Sequence, residues 1–218
     1  MTTYLCDGVD SKAYGGYAEI DTFENDQAEF TSGEYTNIQT INAITTSYST
    51  ELLDKVGYHH FDFVIPDDIG TISKIDIEWV GTGYSADYAM AFPMGYDVDF
   101  SLHVKENGVW TRKVTGTEVT GDYPFWAPSI QTLTTSKTSN FDEWITAGHL
   151  HIGTQSDNVG RPTVGFPHFL AGKDSTIKTD YVEVVITTTT AVTITSRLYI
   201  KPGIKLHVYQ DRNKLIIC

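Results

Sequence analysis

Cysteine is nearly absent from this chain: 218 residues hold two, Cys6 and Cys218, one near each end. Two thiols cannot build the disulfide framework of a small secreted scaffold. A staple between the ends is open to a domain whose termini lie close, but two separate thiols are the expectation. Basic residues are scarce as well, 15 against 28 acidic, for a net charge of −13. Such a field repels phosphate backbones and excludes nucleic acid as a partner of the domain as a whole. Long apolar runs are missing, VEVVI at 182–186 being typical, so no membrane insertion is expected. The opening MTTYLCDGVDSKAYGGY has neither a basic stretch nor an apolar core, and no signal segment is expected there.

Catalytic signatures are lacking too. The chain has no G-x-S-x-G, no H-E-x-x-H and no glycine loop followed by a phosphate-binding lysine. Cysteines at chain ends are poor places for a preorganised nucleophile. No D-x-D-x-D-G loop organises calcium, so Asp67-Asp68, Asp97/Asp99 and Asp142-Glu143 read as solvated acids on turns. A non-enzymatic protein is expected.

What the chain has is alternation. In YHHFDFVIPDDIGTISKIDIEW, residues 58–79, the residues His59, Phe61, Phe63 and Ile65 fall on one face, opposed by Tyr58, His60, Asp62 and Val64. After the Pro66 break, Ile75, Ile77 and Trp79 share a face opposed by Lys74, Asp76 and Glu78. A period of two puts one face in a core and the other in water, as in an antiparallel sheet. DVDFSLHV repeats the pattern with Val98, Phe100, Leu102 and Val104 inward. Asn107-Gly108 then predicts a hairpin into VWTRKV, with the direction of Trp110 open. HLHIG places Leu150 and Ile152 inward, and STIKTDYVEVVIT places Val182, Val184 and Ile186 on one face. A helical turn is expected only in SYSTELLDK, at 47–55.

About ten or more short strands with almost no helix predict an all-β fold, an antiparallel two-sheet jelly roll or β-sandwich. We divide it into an N-terminal arm at 1–22 that needs a surface to lie on, a sandwich at 23–189, and a C-terminal β-meander extension at 190–218. The meander comprises AVTITSRLYI, IKLHVYQ and KLIIC.

Three segments between strands carry rings that loops rarely carry. GTGYSADYAMAFPMGYD holds Tyr84 and Tyr88, GDYPFWAPS holds Tyr123, Phe125 and Trp126, and VGRPTVGFPHFLAGKD holds Phe166 and Phe169. Exposed rings anchor subunit contacts, stack on sugars, or fold back over the ends of their own sandwich. The oily end Leu215, Ile216 and Ile217 must complete this sheet or add to the edge of a neighbour's. His149 and His151 leave one face of a strand at ligand spacing, and with His168 the set resembles that of cupins. Gln155 stands where that pattern has a glutamate, so two surface imidazoles are expected and no metal is assigned. His59-His60 is weaker still, because neighbours on a strand point to opposite faces.

The order YHHFDFVIP, ISKIDIEWVGTGYS, DVDFSLHVKENGVW, TDYVEVVIT resembles galactose-binding-like jelly-roll modules over residues 20–190. Such modules recur in archaeal and bacterial surface proteins and in structural proteins of tailed viruses. The resemblance implies carbohydrate binding or particle assembly, often with a structural calcium near the chain ends, where Asp21, Glu24, Asp26 and Asp180 stand here. The expectation is therefore a virion component (capsid, decoration or tail) that binds copies of itself or other particle subunits. The alternative is a carbohydrate-binding module or adhesin for a cell-surface glycan, at the cell surface or outside it.

Overall fold

The computed structural model describes residues 1–23, 28–52, 54–89, 92–117, 129–157, 161–164, 171–189, 208–211 and 214–217. Its strands, in chain order, are β1 (Thr2–Leu5), β2 (Lys12–Ala18), β3 (Ala28–Glu29), β4 (Thr46–Thr50), β5 (Val56–Val64), β6 (Thr71–Ala89), β7 (Phe92–Glu106) and β8 (Val109–Thr117). They continue with β9 (Gln131–Lys137), β10 (Ile145–Thr146), β11 (His149–Ser156), β12 (Arg161–Val164), β13 (Ala171–Thr189), β14 (Val208–Asp211) and β15 (Lys214–Ile217). The all-β expectation holds. Among the described residues, helix is limited to α1 (Ser32–Asn37) and a single 3-10 turn, Phe141–Glu143.

Thirteen strands form one antiparallel sheet in the order β1-β13-β6-β7-β11-β5-β2-β3. β4 and β12 are added on β13, β9 on β6, β8 on β7 and β10 on β11. The sheet curls because its long strands bend where the pairing register slips, at Asp87/Tyr88, Leu102/His103 and Thr179/Tyr181. Curling brings the inward residues of β5, β7 and β11 onto those of β6 and β13 in one core cluster. Phe61, Phe63, Phe100, Leu102, Leu150 and Ile152 meet Ile75, Trp79, Val182, Val184 and Ile186, all of them fully buried. Each large side chain buried in this way contributes roughly 1.5–3 kcal/mol, which makes this cluster the main stabiliser of the fold. Inside it, the Thr179 hydroxyl accepts from Trp79 Nε1 at 2.9 Å and lies 2.8 Å from His59 Nδ1. Burial pushes His59 down to about 3, so its ring is neutral at neutral pH.

Several segments fold differently from their sequence pattern. Residues 46–50 form strand β4 on β13 and not a helical turn. The short helix lies earlier, where Thr31 and Glu34 make a capping box: Thr31 Oγ1 accepts from Glu34 N, and the Glu34 carboxylate accepts from Thr31 N at 2.7 Å. In the stretch 81–97, which resembles a loop, residues 81–89 and 92–97 extend the paired strands β6 and β7. Glycines serve close approach there. A Cβ on Gly81 would lie 2.2 Å from the Lys178 carbonyl oxygen, and one on Gly83 would lie 2.5 Å from Phe100 Cβ. The polar stretch 131–137 is strand β9, with Leu133 as its buried residue. The N-terminal residues lie on their own chain, β1 along β13 and β2 along β5. Asn107 and Gly108 make the expected tight turn, with φ of 50° and 82°.

The outward face of β5 is not the wet face that alternation suggests. Tyr58 and His60 are buried, because Phe23, Ala18 and Trp110 cover that side as a second, smaller cluster. Trp110 therefore points outward from the main core and packs against Phe23, with ring centroids 4.5 Å apart. Cys6 is a buried free thiol, and burial raises its pKa well above the usual range.

Candidate functional site

The outward faces of β5 and β11 carry the densest cluster of metal-ligating side chains among the described residues. The pleat sends Phe61, Phe63, Leu150 and Ile152 into the core, so His60, Asp62, His149 and His151 emerge on the other side. Antiparallel pairing of the two strands sets His151 opposite Asp62 and Gly153 opposite His60. Asp62 Oδ1 lies 2.8 Å from His149 Nδ1 and 3.6 Å from His151 Nδ1. The two imidazoles stack with centroids 5.9 Å apart and planes 11° from parallel. One ligand atom from each of the three side chains falls within 4.8 Å of the others. They are part-exposed, at 41% for His149, 25% for His151 and 20% for Asp62, so the cluster is open to solvent.

His60 stands behind the cluster. Its Nε2 is 3.1 Å from His151 Nδ1, and its ring meets Trp110 edge-on at 5.4 Å. Burial is the main cause that pushes His60 down to about 3; the neighbouring His151 adds to it and Asp62 opposes it. His60 is thus neutral at neutral pH, and one proton serves the contact between the two rings. Two imidazole nitrogens and a carboxylate oxygen form the donor set that suits zinc and its neighbours in the first transition row.

Farther along the same face lies a network that fixes the cover over β5. Arg112 donates to Asp21 at 2.9 Å and to Asp157 at 3.1 Å. Asp157 also accepts from Ser101 at 2.7 Å and from Gln155 at 2.9 Å. The backbone N–H of Asp21 donates to Gln155 at 2.9 Å, which holds the chain where Phe23 descends onto Gly153. His103 lies beneath, 2.8 Å from Ser101 Oγ, and burial pushes it down to about 4. Because Ser101 donates to Asp157, its oxygen accepts from His103 Nε2, while His103 Nδ1 has no partner among the described residues.

Other candidate residues are dispersed. Of the acids aligned with the implied calcium site, Asp21 is held by Arg112, and Asp180 is buried and accepts from Asn42 N at 3.3 Å. Glu24 and Asp26 lie outside the described residues. Tyr84 and Tyr88 lie in strand β6 and not on a loop. The Tyr84 ring packs against the core and has Lys178 Nζ 5.3 Å from its centroid. Tyr123, Phe125, Trp126, Phe166, Phe169 and His168 lie outside the described residues, as does the strand expected at 191–200. Leu215, Ile216 and Ile217 lie in β15, which pairs with Val208–Gln210 of β14 as a separate two-stranded sheet. On the outer side of β6, β9 and β13, a groove of about 460 Å³ is lined by Asp76, Glu78 and Glu183 among threonines and serine. No helix among the described residues is long and apolar enough to cross a membrane.

Asp62 is the residue of the cluster that the HxH pattern does not reveal. It lies 87 positions before His149, and only the register of β5 on β11 joins the two. Set against known proteins, the chain matches no family model, no curated protein and no solved structure.

Proposed function

We propose that the chain is a non-enzymatic structural subunit that associates with further copies of itself through its C-terminal ribbon, β14 and β15. In finer detail we propose that the curled sheet is a two-sheet jelly-roll sandwich and the ribbon its extension. A virion is the assembly in which we place it; that step rests on the resemblance of strand order alone. The observation that carries the function is the ribbon itself. Among the described residues it pairs with no strand of the thirteen-stranded sheet, and it contains Leu-Ile-Ile. A lone two-stranded hairpin is marginal in water, and an unpaired edge is a template for another strand. A second ribbon satisfies both needs by antiparallel pairing about a two-fold axis.

Charge limits how such a contact works. Copies carrying −13 each repel, so the joining forces must be backbone hydrogen bonds and apolar area, and added salt should favour association. The glycan alternative is less well supported by the one ring whose surroundings are described, since Lys178 covers a face of Tyr84. Multi-angle light scattering of the full chain at high micromolar concentration tests the proposal. A mass that is a multiple of 24.3 kDa and rises with salt is expected. A monomer at every concentration and ionic strength removes it.

A further inference from the structure

We propose that Asp62, His149 and His151 form a binding site for a divalent late first-row transition ion, Zn²⁺ foremost, on the outer face of β5 and β11. The proposal is independent of self-association and rests on placement. Bonds of about 2.0 Å from a tetrahedral zinc to nitrogen and oxygen set neighbouring ligand atoms roughly 3.3 Å apart. The Asp62 Oδ1 distances to the two imidazoles, 2.8 Å and 3.6 Å, bracket that value. All three ligand atoms lie within 4.8 Å of one another, so an ion between the groups requires the imidazoles to close by at most about 1.5 Å, within side-chain rotation and with no change of strand register.

The frame is rigid. Each ligand sits on a strand whose neighbouring residues are fully buried: Phe61 and Phe63 flank Asp62, and Leu150 lies between the histidines. His149 and His151 share a face because they are two apart in a strand, and their near-parallel rings send nitrogens toward the same space. Charge favours a cation as well, since among the described residues no lysine or arginine is paired with Asp62 and the chain carries −13 overall. Three protein ligands on an exposed face leave at least one coordination position for water or an outside donor. The His60 ring, 5.2 Å from that of His151 between centroids and edge-on to Trp110, is a positioning residue that limits the swing of His151 by packing; zinc on His151 Nδ1 replaces the 3.1 Å contact of that atom with His60 Nε2.

The test uses the full chain freed of metal by chelation and then dialysed against Zn²⁺ alone, with elemental analysis of the protein. One ion per chain at low micromolar free Zn²⁺ is expected. His149→Ala and His151→Ala should each weaken binding by roughly a hundredfold or more. Both positions are part-exposed, and circular dichroism checks that the variants keep the strand signal. A second measurement needs no variant: in histidine ring NMR spectra, Zn²⁺ should shift His149 and His151 and leave the core ring His59 unmoved. Absence of stoichiometric zinc overturns the proposal. So does binding that survives the paired His149→Ala/His151→Ala variant, or ring shifts confined to other histidines.

Discussion

The cover over β5 rests on the contact between Phe23 and Gly153, and a methyl group tests it. A Cβ on Gly153 would lie 2.7 Å from Phe23 Cε1 and 2.8 Å from Cδ1 and Cζ. Carbon atoms pack at about 3.5–4.0 Å, so the ring must retreat by roughly 1 Å. It has little space to do so. Phe23 is fully buried, with Trp110 at 4.5 Å, His103 at 5.1 Å and Tyr58 at 5.5 Å between centroids. Overpacking of this kind costs about 1–3 kcal/mol, so Gly153→Ala should destabilise the chain by about 2 kcal/mol. Phe23→Ala should cost more, about 3–5 kcal/mol. In that background the new methyl enters vacated space, and replacing a strand glycine is neutral or favourable by roughly 0.5–1 kcal/mol. The two substitutions should therefore couple by about 2–3 kcal/mol in a double-mutant cycle. Urea unfolding midpoints with a common slope give the four stabilities. If Gly153→Ala costs the same with and without the Phe23 ring, to within about 0.5 kcal/mol, the ring does not sit on this glycine and the account of the cover is wrong.

Two further predictions concern buried polar groups. Thr179→Val strands Trp79 Nε1 and the His59 ring in the core and should cost about 2–5 kcal/mol in denaturant unfolding, while Thr179→Ser stays close to wild type; a valine variant as stable as the native chain would refute the bridge. His103 has a folded pKa near 4, below its ordinary 6.5, so its stabilisation is complete above about pH 6.5 and is lost as pH falls through 4. Its surroundings are Asp21 at 3.6 Å, Arg112 across on β8, and Asp157 through Ser101. A proton added to His103 Nδ1 would find no acceptor among the described residues. Stability curves of wild type and His103→Asn should converge by roughly 3 kcal/mol between pH 7 and 4, and parallel curves would show that His103 is not held neutral.

The inward residues of the long strands were readable because a period of two leaves one arrangement that buries them. His59, Phe61, Phe63, Ile75, Ile77, Trp79, Phe100, Leu102, Leu150 and Ile152 are all in the core. Strands with few large apolar residues escape that test: β9 buries Leu133 among threonines and serine, and β6 beyond Trp79 buries the small or polar Gly81, Thr82, Gly83 and Ser85. Helix α1 did carry a signal, the Thr-x-x-Glu of residues 31–34, but it is shorter than any apolar period can reveal. The site was half legible. His149 and His151 announce a shared face, yet alternation says nothing of which strand lies alongside, and Asp62 arrives through pairing alone. The wet face assigned to Tyr58 and His60 failed for a related reason. Phe23 covers it from a segment whose position depends on the Asp21–Arg112–Asp157 network and on no local pattern.

Whether the C-terminal ribbon is covered by a second copy is most directly read from amide hydrogen exchange over a dilution series, with mass followed in parallel. Protection of residues 208–211 and 214–217 should rise with concentration as mass rises, while amides of β5 and β11 stay unchanged. Ile216→Pro, which removes a ladder N–H opposite Tyr209, should abolish both the protection and the added mass. Ribbon exchange that ignores concentration, or an assembly that forms unaltered in the proline variant, would contradict the proposed mode of association.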